Sequence, residues 1–283
     1  MTQIQAVIAT LSYHDIFDYP LKLDELYEYQ IGVKASPNQV KKAVLQLVKE
    51  SKVVEKEGLY SLKNRPKTVN LRKKRQTYSK EKIKKALIYA KVLKLIPSLQ
   101  LVAISGALAM QNSPKNDDID FVLVSAKGAL WTTRLLANLL LWPIKRDPSG
   151  KKISNRACLN IFIEESALKI KEQNLYTAHE VIQMKLLWDR DHTYQKFMNV
   201  NSWIKKYLPN WTPNANHQPS NAKRQSNPKA LVARLEAPAK WVQLAYMRRK
   251  ITTEKIGDRQ LFFHPEATQS KILARYSQKL KNI

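Results

Sequence analysis

The stretch LVAISGALAMQNSPKNDDIDFVLVS, Leu101 to Ser125, decides how the chain is read. It opens on an apolar run, Leu101 to Ile104, of the kind that forms a buried strand, and then turns at Ser105-Gly106-Ala107. A polar loop leads to the alternation Asp118-Ile119-Asp120, which opens a second apolar strand, Phe121 to Val124. Side chains two apart on a strand project to one side. Asp118 and Asp120 are therefore expected to converge as two hard oxygen ligands for a divalent cation. Magnesium is the expected ion, because it takes a few carboxylates and completes its shell with water and phosphate oxygens. The small residues at 105–107 let backbone approach phosphates, and a helix starting there turns its N-terminus toward them. Asp117 is expected to face away from its neighbour Asp118.

Toward the N-terminus, residues 1–63 predict three helices and a hairpin. Ile4, Val7, Ile8, Leu11 and Tyr13 mark the first helix, and Leu23, Leu26 and Tyr27 the second. The third has a clear start, Ser36 as cap and Pro37 in the first turn, and buries Val40, Val44, Leu47 and Val48. Two short strand-like runs flank Lys56-Glu57-Gly58. This order is that of a winged helix-turn-helix. The third helix would then show Asn38, Gln39, Lys41, Lys42, Gln46 and Lys49 outward: amides for base edges, ammonium groups for phosphates. Glu55 and Glu57 at the wing tip would repel a phosphate, and many such modules pack only against protein.

Beyond Lys63 the chain turns strongly basic, with Arg72, Lys73, Lys74 and Arg75 in a row. A connector is expected here, running into a helix from Ser79 to Leu95 with Ile83, Leu87, Ala90 and Leu93 or Leu95 on its apolar face. Such runs are most often a solvated face, but this one could also hold a nucleic-acid backbone or a triphosphate. Residues 172–208 predict helix, with Tyr176, Val181, Met184, Leu187, Trp188, Phe197, Trp203, Ile204 and Tyr207 as core. A Pro, Asn, Ser and Gln-rich flexible linker is expected near 209–228. Two further helices, Lys229 to Ile256 and Glu266 to Leu280, are separated by QLFFHP.

Composition narrows the function. The chain carries 49 Lys and Arg against 23 Asp and Glu, a net charge of +26, which favours a polyanionic partner. A generally basic proteome would produce the same excess. One cysteine, Cys158, excludes an internal disulfide and a thiolate metal cluster. No apolar run is long enough for a membrane span, and the first residues lack a secretory pattern, so a cytoplasmic chain is expected. Neither a P-loop nor a dinucleotide-binding glycine motif occurs. His179-Glu180 lacks the second histidine of a zinc-protease helix, so His179 is expected to be a partly buried helix residue and His264 structural.

The glycine turn followed by Asp-apolar-Asp-apolar resembles the signature of the DNA polymerase beta-type nucleotidyltransferase superfamily, over roughly residues 87–165. The whole chain also resembles a branch of uncharacterised bacterial proteins in which a winged helix precedes such a domain. What the resemblance implies is an α/β (α+β) mixed-sheet core that uses magnesium to move a nucleoside monophosphate from a nucleoside triphosphate to an acceptor hydroxyl. Asp118 and Asp120 would hold the metals, and Ser105, Gly106 and Ala107 would face the triphosphate. The family's third carboxylate falls on Asn160, in ACLNIFIEE, where an amide coordinates a cation only weakly. Glu164 or Glu165 would substitute if that strand ended near the metals. Ala107 also departs from the Gly or Ser usual after the turn glycine, and Ser105 is one position early. The alternative is a catalytically faded transferase fold acting as a nucleic-acid-binding regulator. The expected organisation is a winged helix at 1–66, the core with its basic helix at 67–170, and an α-helical region at 171–283.

Overall fold

Local signals set the N-terminal helices. Thr2 caps α1 (Gln3–Asp15) through a reciprocal bond with Gln5, α2 (Leu23–Glu28) follows, and Ser36 caps α3 (Pro37–Lys49) through Gln39. The hairpin β1 (Val53–Lys56) and β2 (Leu59–Leu62) completes this unit in the expected order. Val40, Val44 and Leu47 pack with Val7, Leu11, Leu21 and Leu26 in a core of their own. The computed structural model describes residues 1–147, 152–212, 229–248, 254–263 and 266–281.

The basic stretch is helix rather than connector: α4 runs unbroken from Lys67 to Leu93. No Gly or Pro interrupts it, and Lys, Arg, Leu and Ala are strong helix formers. Its buried face is Val69, Ala86, Ala90 and Leu93; of the two alternatives at the end it is Leu93 and not Leu95 that is buried, while Leu87, expected inside, is 42% exposed.

The rest of the chain is built on one sheet. β3 (Leu99–Ile104), the single turn α5 (Gly106–Ala109), β4 (Ile119–Ser125), α6 (Leu130–Leu140) and β5 (Ala157–Glu164) come first. α7 (Leu175–Gln183), β6 (Lys185–Asp189), α8 (Thr193–Val200), α9 (Lys229–Met247), β7 (Lys255–Ile256), β8 (Gln260–Phe262) and α10 (Glu266–Lys281) follow. The six strands lie in the order β6-β3-β4-β5-β8-β7, with β4 and β5 parallel and the other neighbours antiparallel.

Three of these strands correct the expectation of a helical C-terminal region. Leu186-Leu187-Trp188 is an apolar run too short for periodicity to separate strand from helix, and the exposed edge of β3 captures it. QLFFHP likewise supplies β8 against β5. β6, β7 and β8 thus lie in the same sheet as the core strands β3, β4 and β5. The expected linker also begins inside the fold: Trp211 is buried, and Asn210 accepts from Ala35 N at 2.9 Å and donates to Tyr27 O at 3.0 Å. Its continuation, 213–228, lies outside the described residues.

Each face of the sheet is covered. Phe121 and Leu123 point into a core shared with α4, α6 and α9. Val122, Val124 and Ile163 point the other way, toward α7, α8, Tyr13 of α1 and Ile272 of α10. Among the described residues no helix is long and apolar enough to cross a membrane.

Candidate functional site

The strand alternation that sends Ile119 and Phe121 inward toward α4 and α6 turns Asp120 and Val122 to the α7 side. Asp118, Asp120 and Cys158 each bring one ligand atom within 4.8 Å of the other two. The turn after β3 meets this cluster directly. Ser105 N donates to Asp120 O at 3.0 Å, and Gly106 takes φ +63°, where a Cβ would stand 3.3 Å from Asp120 Oδ2. Only glycine serves that position without strain. The helix expected to aim its N-terminus at phosphate is a single turn, so any contact there falls to individual backbone N–H groups rather than to a helix dipole.

A bulge in β5 shapes the opposite wall. Register passes from Phe121–Leu159 to Val122–Ile161, leaving Asn160 as the extra residue. Its Nδ2 donates to Asp120 Oδ1 at 2.8 Å. Turning the amide round would set its oxygen against a carboxylate oxygen, so the amide nitrogen is the group that faces Asp120 and holds it in place.

Electrostatics distinguish the members. Burial, reinforced by the charge of Asp118, raises the Asp120 carboxyl to about 7, against the opposing hydrogen bonds of Cys158 and Asn160. Burial and then the two aspartates push the Cys158 thiol up, so it stays protonated and inert. Asp118 is buried and receives Arg146 NH1 at 2.8 Å on Oδ2. Sequence alone gives no sign of Arg146, because it lies in an irregular segment beyond α6 and meets Asp118 only through the fold.

Glu180 is the second residue that the sequence leaves unmarked. It hangs from α7 over the same sheet face, where burial and then the charge of Asp120 raise its carboxyl to about 7. The acids expected to serve instead, Glu164 and Glu165, stand at the far end of β5. Gly128 N and Lys127 N donate to them at 3.0 Å each, and Glu164 pairs in register with Ser125. Ser105 and Glu180 both open onto a cavity of about 1140 Å3 between the sheet and α7. The Ser105 hydroxyl is buried and has no hydrogen-bond partner among the described residues.

The basic residues divide sharply. Arg72 is buried, donates to Glu25 at 2.6 and 2.8 Å and to Pro20 O, and stacks 4.1 Å over the Tyr19 ring. Lys73 pairs with Glu57, and Arg75 donates to Phe17 O at 3.1 Å and lies 3.7 Å from Asp18. Of the expected phosphate-binding row, only Lys74 stands exposed without such a partner; Arg72 belongs to the core. On α3, by contrast, Asn38, Gln39, Lys41, Lys42, Gln46 and Lys49 are all exposed.

His179 is fully buried, bonds Leu175 O through Nδ1 at 2.9 Å and stacks on Tyr13 at 4.0 Å, which is a packing role. His264 lies outside the described residues. No protein family matches the chain, and neither does any curated protein or any solved structure.

Proposed function

We propose that the chain is a nucleotidyltransferase of the polymerase beta type behind a winged helix, moving a nucleoside monophosphate from a nucleoside triphosphate to an acceptor hydroxyl. The observation that carries this is the contact of Asp120, clustered with Asp118, with the positive-φ turn at Gly106, whose neighbour Ser105 lines a large cavity. In the transfer, the acceptor oxygen bonds to the α-phosphorus and gives up its proton to solvent, the bond to the β-phosphate breaks, and pyrophosphate leaves with the electron pair. The donor set fits magnesium, which takes a few carboxylates and completes its shell with water and phosphate oxygens: Asp118 and Asp120 are two crowded carboxylates, and burial together with the charge of Asp118 makes Asp120 hold its proton unusually tightly. Bound there, the ion would neutralise phosphate charge. The chain's own part is to hold Asp120 through Asn160, and to let the backbone at Gly106 and Ala107 come close to the phosphates.

Isothermal titration with magnesium and ATP or another nucleoside triphosphate tests this. Binding should require the metal and be lost in Asp118→Asn and in Asp120→Asn. Arg146→Ala should tighten magnesium alone by about tenfold, since a competing cation leaves Asp118. Triphosphate binding that ignores both aspartates sinks the proposal.

A second reading is favoured by Arg146 on Asp118 and by the exposed cationic face of α3. In it the transferase site has faded and the winged helix binds nucleic acid. Absence of magnesium-dependent triphosphate binding, with salt-sensitive duplex binding retained, would select it.

A further inference from the structure

The geometry points to the cavity beside Asp120 as a binding site for a small amphipathic acid: an apolar or aromatic body with an anionic group at one end and a hydroxyl at the other. That such a molecule is the acceptor rests on the transferase proposal; that it binds does not.

The lining is graded along its length. At the inner end stand Ser105, whose buried hydroxyl lacks a partner, and Glu180, which has no hydrogen-bond or salt-bridge partner among the described residues. Both groups accept from a ligand O–H, and Glu180 does so as a charge-assisted bond. The floor is apolar, made by Val122, Ile161, Ile163 and Phe262. At the outer lip the acids are already taken: Glu172 by Lys255, and Asp258 by Lys240 at 3.0 Å. Lys169 and Lys171 remain exposed there without ion-pair partners among the described residues, and Arg259 makes a long pair, 4.0 Å, with Glu164. The lip therefore presents cations in excess of acids, and the inner end an acid, Glu180, that no cation meets among the described residues.

Other ligand classes use only part of this lining. A fatty acid would satisfy lip and floor and leave Glu180 and Ser105 unpaired. A free sugar would waste the apolar floor, and a phosphate at the inner end would meet Glu180 and Asp120. The cavity volume suffices for such a ligand, since small-molecule sites commonly occupy about 300–1,000 Å3.

The probes are 6-hydroxy-2-naphthoate and 2-naphthoate, titrated by fluorescence into the full chain with EDTA present and no nucleotide. Both should bind, the hydroxylated acid about tenfold more tightly or better. Glu180→Gln should remove most of that advantage, and Lys169→Glu with Lys171→Glu should weaken both probes by about tenfold. Lys91→Glu, exposed on α4 behind the opposite face of the sheet, should leave both unchanged. Equal affinities for the two acids, no binding at millimolar concentration, or equal loss in Lys91→Glu overturns the proposal. Thermal melts confirm that each variant is folded. Because neither metal nor triphosphate is present, failure of the transferase proposal would leave this result standing, and the converse holds.

Discussion

Glu25 and Asp120 are both carboxylates taken largely out of water, and the protein treats them in opposite ways. Burial alone would raise Glu25, but the hydrogen bonds and charge of Arg72 prevail and bring it below the usual range. Tyr19 O–H adds a bond at 3.0 Å, so the acid, the guanidinium and the ring form a closed set. Asp120 meets no such cation. Its neighbours are Asp118, an amide and a thiol, its charge in turn acts on Glu180 of α7, and the carboxyls of Asp120 and Glu180 hold their protons to about 7. One buried acid is neutralised by a side chain and serves the fold. The other is neutralised by a proton, which a bound cation would displace. A buried acid left to a proton beside a cavity is the mark of a candidate site.

The largest expected effect is on the closed set. Arg72→Met should cost about 3–5 kcal/mol in urea unfolding, because it strands the Glu25 carboxylate. Adding Glu25→Gln should recover part of that loss. Were Arg72→Met neutral for stability yet harmful to nucleic-acid binding, the contrast would collapse, and Arg72 would rejoin the phosphate-binding row.

The open set should respond to pH instead. Asp120 and Glu180 titrate near 7 in the folded chain, against about 3.9 and 4.3 unfolded. Between those values the folded state binds more protons, so these groups' stabilisation is complete near pH 4 and is lost as pH rises through about 7. For Asp120 alone the decline is at most roughly 4 kcal/mol. Asp120→Asn should flatten it and leave the metal-free protein more stable than wild type at pH 7. Saturating magnesium should flatten it as well. A variant that is destabilised at pH 7, with the slope unchanged, would show that Asp120 is compensated by a partner, as Glu25 is.

What the sequence made legible follows the same division. Ser36-Pro37 and Asp118-Ile119-Asp120 carry their message in local spacing, and both helix start and carboxylate pair stand where that spacing put them. Arg72 and Arg146 do not, because whether a cation meets solvent or an acid depends on residues far along the chain. Glu180 was hidden for a related reason: it faces Asp120 only because α7 crosses the sheet, whereas Glu164, nearer in sequence, sits at the wrong end of β5. β6 and β8 escaped notice because short apolar runs gain strand character from the edge that receives them.

The smallest stability effect belongs to α3, and it sharpens the contrast from the surface side. Lys41 and Lys42 stand exposed, and no acid pairs with them among the described residues. Lys41→Glu with Lys42→Glu should therefore change folding stability by no more than about 0.5 kcal/mol. Nucleic-acid affinity is another matter if this helix meets phosphates. Each lost phosphate contact should lower the slope of log affinity against log salt by about one, and should do so alike for all duplex sequences, since phosphates carry no base identity. Arg72→Met offers the internal control: its cation is already committed to Glu25, so in molecules that remain folded the slope should not move. If both changes leave the slope intact, the α3 face packs against protein instead. The +26 charge would then need another anionic partner, and the exposed Lys74 on α4 is the next cation to reverse.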